Sequence, residues 1–161
     1  DVYALDVLAE MLGGDDSARL KQKLVRGRTI ASDIGAGNGS GGRDVGLFTI
    51  SATPAAGTAL ADLERAIGDE IATFIGSPPT TEELERIKTQ VVADTIFERD
   101  SLSHRASTLG SLEAVGLGWR LRDSYVDAIK AVTRDDVLAA ARKYLTPRSL
   151  TVLELLPENK S

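Results

Sequence analysis

The sequence predicts an α+β domain, and three observations point there. Segments with apolar residues at helical spacing account for most of the 161 residues. Two alternating stretches flank a glycine-rich segment at 35–46 and read as one antiparallel hairpin. One further apolar run, Leu150–Leu156, closes the pattern as a third strand. Strands so few and so clustered do not build a doubly wound sheet, in which they would alternate with helices.

Leu5, Leu8 and Leu12 share a stripe with Ala4, Val7 and Met11 beside it, and Gly13-Gly14 stops this first helix. Asp15-Asp16-Ser17 offers an N-cap for a short second helix through Arg19, Leu20 and Leu24. From Thr29 the apolar period becomes two, which predicts a strand to Ala36. A second strand runs from Val45 to Thr53, apolar on both faces at Leu47, Phe48 and Ile50, and Pro54 ends it. Leu60, Leu63, Ile67, Ile71 and Phe74 mark a long helix, broken by Gly76-Ser77-Pro78-Pro79. Thr80-x-x-Glu83 fits a capping box for the next helix, which carries Leu84, Ile87 and Val91 toward Arg99. Helices over roughly 102–116 and 121–131 follow. Thr133 then caps a last helix, with Asp135 and Asp136 at the positive end of its dipole, and Pro147 ends it. Three strands make a thin sheet for so many helices, so a neighbouring strand from sequence before Asp1 is expected to complete it.

Composition excludes several functions. With no cysteine there is no disulfide, thiol nucleophile or thiolate zinc site. With His104 as the one histidine, no site can take two imidazoles from this chain. The net charge of −5 opposes a general nucleic-acid binder, and seven aromatic residues give little to stack bases on. No segment approaches the ~20 apolar residues of a membrane span. No signal peptide is visible and no methionine opens the chain, so a piece of a longer protein is expected.

The candidate motifs have plain structural explanations. Gly37-x-Gly39-x-x-Gly42, with Asp62 twenty residues on, matches the dinucleotide fingerprint by letter. That chemistry needs a helix N-terminus after the glycines, and a strand-like run follows instead, so the segment reads as a hairpin loop. Asn38-Gly39-Ser40 is a glycosylation sequon by pattern. His104 reads as a surface or packing histidine, since the sequence locates no catalytic partner for it. Glu82, Glu83 and Glu85 sit where a helix dipole favours acids, rather than as a metal site. Arg19, Lys21, Lys23, Arg26 and Arg28 form a basic cluster that is either a solvated helix end or a docking surface for an acidic partner.

Taken in order, these pieces resemble the second domain of pitrilysin-like (M16) zinc peptidases. The resemblance rests on Leu8-Ala9-Glu10-Met11-Leu12-Gly13-Gly14, then Ser17-Ala18-Arg19-Leu20 through Val25, then the hairpin. It continues through Thr80-Thr81-Glu82-Glu83-Leu84-Glu85-Arg86-Ile87-Lys88, the stretch Leu109-Gly110 to Gly116, and Val132-Thr133-Arg134-Asp135-Asp136-Val137 with Tyr144-Leu145. Ala18 stands at the family serine and Lys21 at its tyrosine. The likeness covers nearly the whole chain and looks nearest to bacterial members related to the mitochondrial processing peptidase.

The resemblance implies helices packed on one face of a mainly antiparallel sheet, lacking its first strand region. It implies that residues 1–161 are one domain of a longer two-domain subunit. Zinc would then lie on a preceding domain, on an inverted His-x-x-Glu-His motif absent here, so this piece would hold no zinc and hydrolyse nothing alone. Its expected partners are that zinc-bearing domain, a second subunit of the same type and a peptide substrate enclosed in a chamber. The family also has an arginine and a tyrosine, seven positions apart, that hold the substrate carbonyl. Their positions fall here on Val25 and Ser32, neither of which can serve, and Arg26 and Arg28 are out of register. A zinc-bearing subunit generally lacks this pair, so its absence favours such a subunit, or else a scaffold paralogue without chemistry. The resemblance leans toward the periplasm over the cytoplasm.

Overall fold

Helix α1 (Val2–Gly13) is apolar almost all round, with Ala4, Leu5, Val7, Leu8, Ala9, Met11 and Leu12 buried. A helix of that kind belongs inside a domain rather than on its surface. In the computed structural model, which describes residues 1–39, 46–98 and 101–156, α1 is the centre about which the other elements pack. Strand β1 (Ala31–Asn38) lies against it, as do α3 (Thr81–Glu98), α5 (Leu121–Ala131) and α6 (Arg134–Tyr144).

β1 pairs antiparallel with β2 (Phe48–Pro54), with Ala36 opposite Ile50 and Asn38 opposite Phe48. In β2, Phe48, Ile50 and Ala52 turn inward while Thr49, Ser51 and Thr53 are exposed. The strand therefore has one apolar face, not the two expected from Leu47, Phe48 and Ile50. Leu47 lies outside the strand and is 76% exposed. A two-stranded ribbon is marginal alone, and α1 supplies the surface that holds it. The contact is close: a Cβ on Gly13 would come within 2.3 Å of the Ala36 nitrogen and 2.7 Å of the Gly35 carbonyl carbon. Position 13 thus requires a glycine because backbone meets backbone there. Gly14 has an ordinary right-handed conformation.

The second helical stretch is wound as a π-helix over Lys21–Gly27, with Leu24 buried. Its i to i+5 bonding continues through Arg28 N–H to the Lys23 carbonyl at 2.8 Å. Thr29 follows at φ 51°, a conformation that opposes a β-branched side chain.

Helix α2 (Leu60–Gly76) buries Leu63, Ala66 and Phe74. The Thr80 hydroxyl accepts from the Glu83 amide at 3.1 Å, which starts α3 as the capping pattern predicts. Helix α4 (Leu102–Ala114) starts at Ser101, whose hydroxyl accepts from the His104 amide, and none of its residues is buried. The start of α6 is a complete capping box between Thr133 and Asp136, and the two Thr133 bonds hold the Asp136 carboxyl below its usual range.

The last sequence expectation fails. After a 3-10 turn at Pro147–Ser149, residues 150–156 pair with no strand among the described residues. Leu153 is 95% exposed and Leu155 93%. Apolar residues at both parities suit a strand covered on two sides, and the described residues offer cover on neither. The described sheet therefore has two strands.

Candidate functional site

Two places bring polar residues together. The first is a shallow cleft where α1, the end of β1, α3 and α5 meet. Asp6 accepts from Asn38 Nδ2 at 2.8 Å and from the Tyr125 hydroxyl at 3.2 Å. Tyr125 in turn packs edge-on to Tyr3, with centroids 5.8 Å apart. Glu10 lies one turn further along α1, half-buried. Burial raises its carboxyl pKa, and Asp94, Asp15 and Asp6 raise it further. Among the described residues no three metal-ligating side chains converge, here or elsewhere. The cleft is a polar seam between helices and sheet.

The second place is the π-helix and the start of β1. Val25 packs against the core as a half-buried side chain. Ser32 sits at the irregularity between Ala31 and Asp33, its hydroxyl 3.3 Å from the Thr53 carbonyl and 3.4 Å from that of Pro54. One position is spent on packing and the other on stitching a bulge. Arg26 reaches Asp16 at 2.9 Å, while Lys23 and Arg28 are exposed and Lys21 half-buried.

The neighbouring Arg19 has a different role. Its guanidinium grips both oxygens of Glu83 at 2.8 and 2.7 Å, donates to the Ser77 carbonyl at 3.2 Å and lies over the Phe74 ring. This fork ties the π-helix segment to the junction of α2 and α3. It holds the Glu83 carboxyl below its usual range, against the opposing effect of burial. Arg86 does similar work, bonding the Ser17 hydroxyl and facing Asp15 at 3.7 Å. So the five-residue basic cluster divides: Arg19 is a structural clamp, Lys21 is half-buried, and Lys23, Arg26 and Arg28 are exposed.

The other motifs are dispersed. Gly37 lies within β1, and the next described element is β2, not a helix, which removes the dinucleotide reading. Asp62 pairs with Arg65 on α2 at 3.3 Å. Asn38 is used internally by Asp6, while Gly42 and Ser40 of the sequon lie outside the described residues. His104 is exposed on α4. Glu82 points to solvent, Glu83 is taken by Arg19, and Glu85 accepts from Lys88 at 2.9 Å.

Lys88 was not anticipated as a core residue. It is 8% exposed and donates to the Val132 carbonyl at 3.1 Å, closing the C-terminal end of α5. The signal was available, since position 88 falls on the stripe of Leu84, Ile87 and Val91. Glu83 as the partner of Arg19 had no such signal, because the two are 64 residues apart.

The fold has close counterparts among solved structures. An inactive peptidase domain from Bordetella parapertussis superposes with a TM-score of 0.82 at 23% identity, over 98% of this chain and 85% of that one. A protease from Helicobacter pylori gives 0.80 at 23% identity, over 89% of this chain but 34% of that one. A peptidase M16 inactive domain from Pseudomonas fluorescens gives 0.72 at 20% identity, over 88% and 33%. The chain thus spans about a third of the length of the Helicobacter pylori and Pseudomonas fluorescens chains. No curated protein matches the sequence. The family model described as the peptidase M16 inactive domain matches residues 1–91, more than half of the chain. With α1, the π-helix, the hairpin, α2 and the buried face of α3 all inside that match, the chain belongs to the peptidase M16 family as its inactive domain.

Proposed function

We propose that this chain is the non-catalytic C-terminal domain of a zinc metallopeptidase subunit, and that it helps wall a closed peptide-binding chamber. The observation that carries the reading is the family match over the α1-to-α3 core. The donor inventory agrees, because one histidine and no thiolate do not fit a zinc centre. Zinc would sit on a preceding domain of the same subunit. The exposed Leu153 and Leu155, and the wholly unburied α4, support further protein packing against this domain. A peptide in such a chamber would add as a strand to a sheet edge, with main-chain hydrogen bonds supplying affinity.

The test uses the full-length subunit, alone and with the product of its neighbouring gene. Zinc content and cleavage of unstructured peptides are measured with and without chelator. One zinc per subunit and chelator-sensitive cleavage are expected, together with an inverted His-x-x-Glu-His motif about one domain before Asp1. A gene without that motif would remove the assignment.

A second reading is a scaffold domain without chemistry on either half. Val25 packed against the core and Ser32 in the bulge favour it, since neither can donate and hold charge as the arginine and tyrosine pair does. A folded, zinc-loaded complex with no turnover would select the scaffold.

A further inference from the structure

We propose that the outward side of the π-helix, with the turn after it, is a docking surface for an acidic peptide segment. This deepens the chamber-wall reading and rests on it, because Val25, at the family's arginine position, lies inside this basic row. Hydrogen bonds from i to i+5 bring residues five apart onto one face. Arg28, whose amide bonds the Lys23 carbonyl at 2.8 Å, is exposed together with Lys23 and Arg26, in a chain of net charge −5. Leu24, fully buried, fixes the opposite side to the core. Among the described residues no carboxylate lies within ion-pair distance of Lys21, Lys23 or Arg28, and Arg26 has only Asp16, itself largely exposed. By contrast Arg19 and Arg86 have acidic partners, Glu83 at 2.7 Å and Asp15 at 3.7 Å. Like charges this close in the chain repel one another, so the exposed cluster of Lys23, Arg26 and Arg28 is complementary to a short run of Asp or Glu.

The surroundings decide against other polyanions. The sequence has no aromatic residue between Asp15 and Leu47 on which bases could stack. Among the described residues no large apolar side chain is exposed between 15 and 39 that could enter a bilayer.

The experiment is fluorescence anisotropy on this chain with a labelled Glu-rich peptide and its Gln counterpart, at several salt concentrations. Short duplex DNA and anionic lipid vesicles serve as competitors. The Glu peptide should bind and weaken with salt, and the Gln peptide should bind at least about tenfold less tightly. A K21E/K23E/R28E variant should lose the Glu peptide with unchanged circular dichroism and Tm, while K130E/R134E, charges on α5 and α6, should keep it. Equal binding of the two peptides overturns the charge selection and leaves the chamber-wall reading standing. Absence of binding, retention by the triple variant, or stronger competition by DNA or vesicles each overturns the proposal.

Discussion

Gly13→Ala sets two opposed effects against each other at one position. Alanine is the better helix former by about 1 kcal/mol, so a surface glycine near a helix end would gain from the change. At Gly13 the new Cβ would sit 2.3 Å from the Ala36 nitrogen and 2.7 Å from the Gly35 carbonyl carbon. Both are backbone atoms of β1, so no rotamer change relieves the clash, and α1 must move off the strand by about an ångström. Overpacking of this kind costs ~3 kcal/mol at the upper end of the usual range. The net expectation is a loss of about 2 kcal/mol, or roughly 4–8 °C in Tm for a domain of this size. Gly68→Ala in α2 is the control, because a Cβ there meets nothing within 4 Å. It should gain about 1 kcal/mol. Thermal and urea unfolding of both variants by circular dichroism measure the contrast. A Gly13→Ala protein as stable as the parent would refute the close contact of α1 with β1.

Three more outcomes follow from the charges and the backbone. The Glu10 carboxyl is raised by burial and by Asp94, Asp15 and Asp6, so its contribution is most favourable below the unfolded pKa and declines as pH rises through the folded one; Glu10→Gln should raise Tm at pH 7 and leave it unchanged at pH 3. Glu83 is lowered, chiefly by the Arg19 hydrogen bonds, so its contribution is present above the unfolded pKa and lost as pH falls through the folded one. Glu83→Gln should cost about 1–2 kcal/mol at pH 7, with the difference from the parent vanishing in acid denaturation below the folded pKa. Thr29→Gly removes a β-branched side chain from φ 51° and should stabilise by roughly 0.5–1 kcal/mol after the entropy of glycine is counted; an unchanged or lower urea midpoint would count against strain at that turn.

The helices were legible where one local rule decided them. Thr133-x-x-Asp136 and Thr80-x-x-Glu83 are hydrogen-bond patterns within one turn, and both helix starts appear where the side chains put them. The hairpin was legible because alternation and the glycine-rich loop agree. Leu150–Leu156 misled for a physical reason: a short apolar run shows that a segment suits a sheet, while pairing requires a partner that local sequence does not describe. The π winding at 21–27 left no periodic signature, since one extra residue per turn is settled by where Leu20 and Leu24 meet the core. At the candidate site, the absence of a usable pair at Val25 and Ser32 could be read from residue types alone. The separation of Arg19 as a clamp from the exposed cations beside it could not, because it depends on Glu83 arriving from elsewhere in the chain.

Helix α4 has no buried residue, and the segment joining it to α5 passes through Gly116 and Gly118 at φ 80° and 77°. Its amides are therefore protected only by their own helical turns, while those of α1 open only when the core opens. Two hydrogen-exchange populations should coexist in one folded chain, a fast one over 102–114 and a slow one over 4–12. A single unfolding midpoint would describe only the slow population, because α4 contributes no residue to the buried core.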